Sequence, residues 1–445
     1  MKEKILIIGN GISGVTCARY IRKYSDHDIT IISSETPYFY SRTALMYVYM
    51  GHMKFEHLQP YENWFWEKNR INLKQDFVTK ILTEENKVVL KSGEKLSYTK
   101  LVIATGSKPN KFGWKGQDLK GVQGLYSKQD LDLLEENTKN GIERAVIVGG
   151  GLIGIEMAEM LLSRGYKVTF LVREQAFWGN VLPLEESKLI EKHMVEDHHI
   201  DLRLNTELKE ILSDKNGRAR AVLTNTGEEI ACQVVGLTAG VSPNINFVKD
   251  SAIKTNRGVL VDAYLQTNIK NVYAIGDCAE FTEHPSGDRR NIEQVWYTGK
   301  IMGKTLATTI CKKPIIYQPG HWFNSAKFMD IEYQTYGWVF PTPRNNEQHF
   351  YWEHESKKKS VRLNFDKKTR KFIGINTFGI RMRHQAFDKW LSENRSVEYV
   401  LEHLPDANFD PEFYKQHEKE IIEKFNVENG TILKAKKRNW KTLFS

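Results

Sequence analysis

Gly9, Gly11 and Gly14 are spaced Gly-x-Gly-x-x-Gly, and Gly149, Gly151 and Gly154 repeat the spacing far along the same chain. The chemistry open to such a turn is anion binding by main chain alone. The first glycine permits a tight turn, the second lets backbone approach a pyrophosphate, and the third lets the next helix pack close. That helix then offers its N-terminal amides and dipole to the phosphates. Ile12 and Ser13 open the first of these helices, Leu152 and Ile153 the second. Two such turns imply two bound dinucleotides. An acid is expected about 20 residues beyond the turn, to accept hydrogen bonds from a ribose. In the first unit that acid is Glu35, reached through Ile29-Thr30-Ile31-Ile32 and two serines.

Such turns need strands to hold them. Ile5-Leu6-Ile7-Ile8 and Ala145-Val146-Ile147-Val148 have no polar interruption, the pattern of parallel strands covered by helices on both faces. The segment Asn271 to Asp277 lies far downstream and suggests that the first nucleotide domain is completed after the second has been inserted into it. The expected fold class is α/β, with two Rossmann-like dinucleotide-binding domains, the second inserted in the first, and a C-terminal α+β domain. The expected bounds are residues 1–114 and 251–312 for the first, 115–250 for the second and 313–445 for the third. Beyond Pro314, Gln348-His349-Phe350-Tyr351-Trp352, Val361 to Phe365 and Phe372 to Ile375 read as antiparallel strands. Helices are expected near Gln385 to His403 and Pro411 to Phe425, before a tail that interleaves lysines with Trp440, Leu443 and Phe444. Such a tail suits either anionic lipid or a solvated terminus.

At 445 residues and 40% hydrophobic content the chain has room for about three domains. No apolar stretch approaches the ~20 residues that span a bilayer, and Met1-Lys2-Glu3-Lys4 runs straight into the first strand. The expectation is a cytoplasmic protein, with peripheral contact at the inner face of the membrane open through the tail. The net charge of +9 is spread along the chain, which argues against nucleic acid and suits acidic partners.

Further segments carry a resemblance to the pyridine nucleotide-disulfide oxidoreductase superfamily. Leu101 to Gly106, with Ala104, Thr105 and Gly106, resembles the family's Ala-Thr-Gly crossing, and Ala239 to Asn244, with Gly240, its return crossing. Thr267 to Asp277 is similar to the second flavin motif, which places Gly276 and Asp277 at the flavin and Asp277 at its ribityl chain. Tyr40-Ser41-Arg42 with Leu45, and Trp322 to Phe328 followed by Gly337, resemble ferredoxin, rubredoxin and putidaredoxin reductases and apoptosis-inducing factor. The resemblance makes the third domain an interface domain, a homodimer a candidate assembly, and FAD and NAD(P)H the cofactors. It lays Arg42 along the flavin and adds Val78 and Trp296, in a helix from Glu293 to Gly303, to the flavin side. Relatives often carry a lysine where Tyr47 stands here. Lys327 is either its substitute beside the flavin or a solvent-facing residue at a domain junction.

In the second unit the resemblance puts Glu156 near the nicotinamide end, or else on the solvent side of its helix. Val172 occupies the place of the ribose acid of NADH-specific relatives, and Arg173 follows. An arginine there can pair with a 2′-phosphate, whereas Glu174 repels one and Gly154 is the NADH-like residue. NADH and NADPH both stay open.

The four cysteines, Cys17, Cys232, Cys278 and Cys311, form no Cys-x-x-Cys or Cys-x-x-x-x-Cys pair. A redox-active disulfide needs a close pairing and a reactive thiolate, so a sulfur relay is disfavoured. No side chain is then required as an acid-base catalyst, and electrons must leave the flavin directly. The expected acceptor is a ferredoxin- or rubredoxin-like iron-sulfur carrier. A peripheral membrane quinone reductase and an NAD(P)H-sensing flavoprotein with an assembly role are the alternatives. No metal ligands are expected, because the histidines, His198-His199 included, lack a paired spacing.

Overall fold

The computed structural model describes residues 2–409 and 412–437. The apolar run Lys4–Ile8 is the middle of a parallel sheet whose strands lie in the order Val272–Ala274, Lys100–Ile103, Lys4–Ile8, Asp28–Ser33, Ile71–Gln75. Arg144–Val148 is the middle of a second one, in the order Asp201–Arg203, Lys167–Leu171, Arg144–Val148, Val234–Leu237, Val122–Gln123. All strands of the second sheet fall, in sequence, between two neighbours of the first. The chain crosses between them along an antiparallel pair, Ser107–Pro109 with Val241–Pro243.

The fingerprint helix Ile12–Tyr24 packs on Trp296–Cys311. Two glycines set how close they come: a Cβ on Gly299 would lie 2.7 Å from Ser13 Oγ, and one on Gly303 2.5 Å from the Ser13 carbonyl oxygen. The second helix begins at Trp296 rather than at the expected Glu293, because Glu293 is buried and ion-paired with Arg289 and takes a hydrogen bond from Tyr317 (2.7 Å).

The C-terminal sheet is antiparallel and has five strands, in the order Phe323–Phe328, Ile331–Gly337, Phe372–Phe378, Ser360–Asp366, Glu347–Glu353. The first two were not among the three strands read from alternation. Phe328 and Tyr333 carry this sheet into the core of the second nucleotide unit, against Phe177 and Trp178. The helix expected near Gln385 to His403 is broken into His384–Ser392 and Val397–Glu402. Asn394 takes a left-handed conformation (φ 53°), and Ser396 starts the new helix by accepting from the Tyr399 N–H. Among the described residues the last helix is Glu418–Asn429, later than expected. Pro411 and the apolar tail residues Trp440, Leu443 and Phe444 lie outside the described residues. Among the described residues no helix is long and apolar enough to cross a membrane.

Replacing Gly303 by alanine should force its helix away from Ile12–Tyr24 and lower stability by about 1–3 kcal/mol. Gly287→Ala, where an added Cβ meets nothing within 4 Å, serves as the control, with urea midpoints as the readout.

Candidate functional site

The first cradle divides its labour among three glycines. Gly9 has φ +115°, and a Cβ there would lie 2.1 Å from the Ala104 carbonyl oxygen. A Cβ on Gly14 would lie 2.2 Å from the Gly9 carbonyl oxygen, whereas one on Gly11 meets nothing within 4 Å. Gly9 and Gly14 therefore lock strand, turn and helix together, and Gly11 keeps open the space that a pyrophosphate would fill. The first intrahelical bond runs from the Val15 N–H to the Gly11 carbonyl (3.0 Å). The amides of Ile12, Ser13 and Gly14 accordingly have no intrahelical acceptor. The second cradle repeats the plan. Gly149 also has φ +115°, with a Cβ that would lie 2.8 Å from Ala239 Cα; a Cβ on Gly154 would lie 2.7 Å from the Gly149 carbonyl oxygen, and Gly151 is open.

A cleft of about 630 Å³ extends from the first cradle. Of the residues expected on the flavin side, Gly9, Gly11, Ile12, Ser13, Glu35, Arg42, Val78, Ala104, Thr105, Gly106, Asp277 and Trp296 line it. Gly14 and Gly276 serve packing instead: a Cβ on Gly276 would lie 2.2 Å from Ser13 Oγ. Asp277 accepts a hydrogen bond from Ser107 Oγ (3.1 Å), which itself accepts one from Gln294 Nε2 (2.7 Å). Burial pushes the Asp277 carboxyl above the usual carboxylate range.

Glu35 lines the cleft but already has partners. Arg42 grips it with Nη2 at 2.7 Å and Nη1 at 3.0 Å, the Lys128 N–H donates at 2.9 Å, and the Tyr40 hydroxyl donates as well. Burial raises its pKa, but these donors outweigh burial and hold the carboxyl below its ordinary value. Arg42 also donates to the Tyr126 carbonyl and stacks 4.4 Å over the Tyr126 ring. A ribose approaching Glu35 meets an occupied carboxylate.

Several lining residues escaped the sequence reading. Tyr126, Ser127, Gln129 and Asp130 belong to the stretch expected to form the second nucleotide domain, yet they line the first cleft, as do Asn244 and Gln294. One signal was legible: Ser127 and Asp130 form a capping box, Ser127 Oγ accepting from the Asp130 N–H (3.1 Å) and Asp130 from the Ser127 N–H (2.8 Å).

Glu156, Lys327 and Tyr47 do not line this cleft. Burial, reinforced by the Glu159 charge, pushes the Glu156 carboxyl up to about 7. Lys327 reaches across from the C-terminal sheet to Glu159 (2.7 Å), and Tyr47 stacks on His52. Arg173 is exposed and touches Glu174 at 3.0 Å, and Glu174 also accepts from Asn180 (3.1 Å). Gly240, at φ +92°, sits in the return crossing beside Asn110. Cys17, Cys232 and Cys278 are buried and Cys311 is half-buried; all four are free and none lines the cleft. Burial raises every one of these thiols, Cys232 to about 12.

Two glycine cradles on interleaved parallel sheets, joined by paired crossings, are the architecture of a two-dinucleotide oxidoreductase. Residues 3–300 match the model of the pyridine nucleotide-disulphide oxidoreductases, and the chain belongs to that family, with FAD and NAD(P)H as its cofactors. It is 33% identical over 286 residues to an NADH-rubredoxin oxidoreductase of Clostridium acetobutylicum, covering 62% of this chain and 68% of that protein. It is 28% identical over 316 residues to the assimilatory nitrate reductase electron transfer subunit of Bacillus subtilis. That match covers 70% of this chain and only 40% of the Bacillus subunit. In fold it is similar to a ferredoxin reductase from Rhodopseudomonas palustris, with a TM-score of 0.78 at 21% identity over 94% of this chain and 99% of that one.

The raised pKa of Glu156 has a stability consequence. The stability held by its protonated form is fully present below the ordinary carboxylate range and is lost as pH rises through about 7. Glu156→Gln should therefore be close to neutral at pH 5 and stabilising at pH 8, by up to about 3 kcal/mol. Urea denaturation at both pH values checks this, and a pH-independent difference would refute it.

Proposed function

We propose that this chain passes electrons from NAD(P)H through FAD directly to a small iron-sulfur carrier of the rubredoxin or ferredoxin class. The observation that carries the proposal is the placement of the thiols. All four have raised pKa values and lie away from the cleft, whereas a relay cysteine needs a depressed pKa and access to its partner. The relatives named above, an NADH-rubredoxin oxidoreductase and a ferredoxin reductase, support the choice of acceptor, and the net charge of +9 favours an acidic carrier.

FAD, when bound, supplies the conversion between two-electron and one-electron transfer. The protein's part is to bind and orient. The open face of Gly11 and the amides of Ile12 and Ser13 suit its pyrophosphate. Asp277, Thr105, Gly106 and Trp296 would hold the remainder of it along the cleft. Arg42, fixed by Glu35 and Tyr126, forms a rigid wall rather than a mobile ligand. Gly151, Leu152, Ile153 and Gly154 would hold the nicotinamide cofactor, with Glu156 two residues further along the same helix.

Anaerobic mixing of the flavoprotein with NADH or NADPH, then with rubredoxin, ferredoxin or a quinone, tests the proposal. The expected result is rapid flavin bleaching followed by reduction of an iron-sulfur carrier, unimpaired by alkylation of accessible thiols and retained within about twofold when Cys17, Cys232, Cys278 and Cys311 are all replaced by alanine. Turnover with the quinone alone, or its loss on thiol alkylation, would refute it.

Arg173 is the group available to a 2′-phosphate, once that phosphate displaces Glu174. Arg173→Ala should raise KM for NADPH about tenfold, the size of one charge-assisted contact, and leave KM for NADH within twofold. Steady-state kinetics with both nucleotides reads this out.

A further inference from the structure

Where the second nucleotide unit meets the C-terminal sheet, two histidines and an aspartate converge on one point. His193 Nε2 lies 2.6 Å from Asp330 Oδ1, His198 Nε2 lies 3.0 Å from the same oxygen, and the two Nε2 atoms are 3.2 Å apart. His193 is buried, His198 is half-buried and Asp330 is exposed, so the point is backed by protein and open to solvent on one side.

Local structure explains the convergence. An α-helix would turn His198 about 140° away from His193, at ~100° per residue. The helix Leu184–Lys192 instead runs into a π-turn, His193–Asp197, whose wider turn returns residues five apart to one side, a distortion often found at functional sites. Asp330 comes from the tight turn between Phe323–Phe328 and Ile331–Gly337, where Met329 takes φ 56°. The expectation of no metal ligands rested on local histidine spacing, and the third group of this cluster lies 132 residues from His198.

The hydrogen bonding is frustrated unless a positive charge sits between these atoms. Asp197 Oδ2 lies 2.6 Å from His193 Nδ1 and is itself held by the Lys358 ammonium at 2.9 Å. A neutral His193 that donates Nδ1–H to Asp197 turns a bare Nε2 lone pair toward a carboxylate oxygen. His198 aims its own Nε2 at the same place. Protons satisfy all these contacts only if His193 carries both of its N–H groups and His198 its Nε2–H, whereas one metal ion takes the two Nε2 lone pairs and the carboxylate at once. A carboxylate behind a ligating imidazole is also the usual device for fixing that ring's tautomer.

We propose that His193, His198 and Asp330 bind a divalent first-row transition ion, with Asp197 orienting His193 and a solvent molecule completing the coordination. Two imidazoles and one carboxylate are the donor set of zinc. Bonds of about 2.0–2.1 Å in a tetrahedral site set neighbouring ligand atoms ~3.3 Å apart; His198 Nε2 already lies 3.2 Å from His193 Nε2 and 3.0 Å from Asp330 Oδ1, and the main adjustment is at the His193–Asp330 pair, which starts from 2.6 Å. The ion ties the second nucleotide unit to the C-terminal sheet, and its role is structural, because none of its ligands lines the flavin-side cleft.

The test uses the full-length flavoprotein, stripped with a chelator and titrated with zinc sulfate against a chromogenic competitor, then with cobalt(II). The expected result is one ion per chain at submicromolar Kd, a visible cobalt d–d band, a thermal midpoint several degrees higher, and an unchanged rate of flavin reduction. His198→Ala and Asp330→Asn, both at solvent-accessible positions, should fold with the metal-free midpoint, weaken binding at least 100-fold and abolish both the cobalt band and the thermal shift. A native protein that takes up no stoichiometric ion would show that the cluster is a protonated ion-pair relay and would overturn the proposal. Variants that bind as tightly as the parent would place the ion elsewhere and overturn it equally.

Discussion

The molecule rests on two close approaches of backbone to backbone. At Gly9 against Ala104, and at Gly149 against the Thr238-Ala239 backbone, the separation leaves no room for a Cβ. Each contact ties the end of the first strand of a unit to the start of a crossing segment. The crossings then pair with each other, Ser107–Pro109 with Val241–Pro243, so neither cradle is independent of the other. Thr105 adds a bond across the same junction, its hydroxyl donating to the Asn244 carbonyl at 2.7 Å. A side chain at either glycine would displace the turn that faces the phosphates and, through the crossings, the opposite unit as well.

The second nucleotide unit and the C-terminal sheet meet differently, across aromatic packing and a buried charge cluster. Arg362 is almost fully buried, and reaches Glu185 at 2.8 Å and Glu186 at 3.1 Å, while Asn376 donates to Glu186 at 2.9 Å. Burial dominates at Glu186 and pushes its carboxyl up in spite of the arginine. Such a pair adds little net stability over apolar packing, but losing one partner strands the other, and this enforces a single registry between the two bodies. Phe328 and Tyr333 against Phe177 and Trp178 supply the attraction; Arg362 and Lys327 fix where it acts.

Legibility in the sequence followed the range of the interactions. The cradles were readable because glycine spacing encodes a backbone requirement that does not depend on distant residues, and both strand-turn-helix units fall where the apolar runs placed them. The fate of Glu35 was not readable. Its type and distance from Gly14 suit a ribose; Tyr40 and Arg42, only five and seven residues on, turn back onto it where no helix or strand spacing announces the pairing, and Lys128 arrives from 93 residues away. The break at Asn394 was missed because apolar periodicity continues across it, and the left-handed residue is an asparagine rather than a glycine. Phe323–Phe328 shows little contrast between its faces, with only Phe328 buried, and the alternation of Ile331–Gly337 holds for Ile331 to Gln334 before three buried residues in a row end it, so neither strand stood out. His193, His198 and Asp330 are separated by 132 residues or more on one side of the cluster, and no local pattern joins them.

The two cradles share a backbone plan and differ in the side chains that surround it. The first opens into a cleft walled by segments from both nucleotide units, including Tyr126 and Asn244 from the inserted stretch. Its charged wall, Glu35 with Arg42, is already paired and fixed before any ligand arrives. A ligand seated there would cost little further ordering of this wall, which favours tight binding. Beside the second cradle the charged groups are Arg173, 69% exposed, and Glu174, held by one contact to that arginine and one to Asn180. Exposed pairs of this kind contribute little and are readily exchanged for other partners. This asymmetry is what the proposed assignment, a resident FAD in the first site and an exchangeable NAD(P)H in the second, asks of the side chains placed around one shared backbone motif.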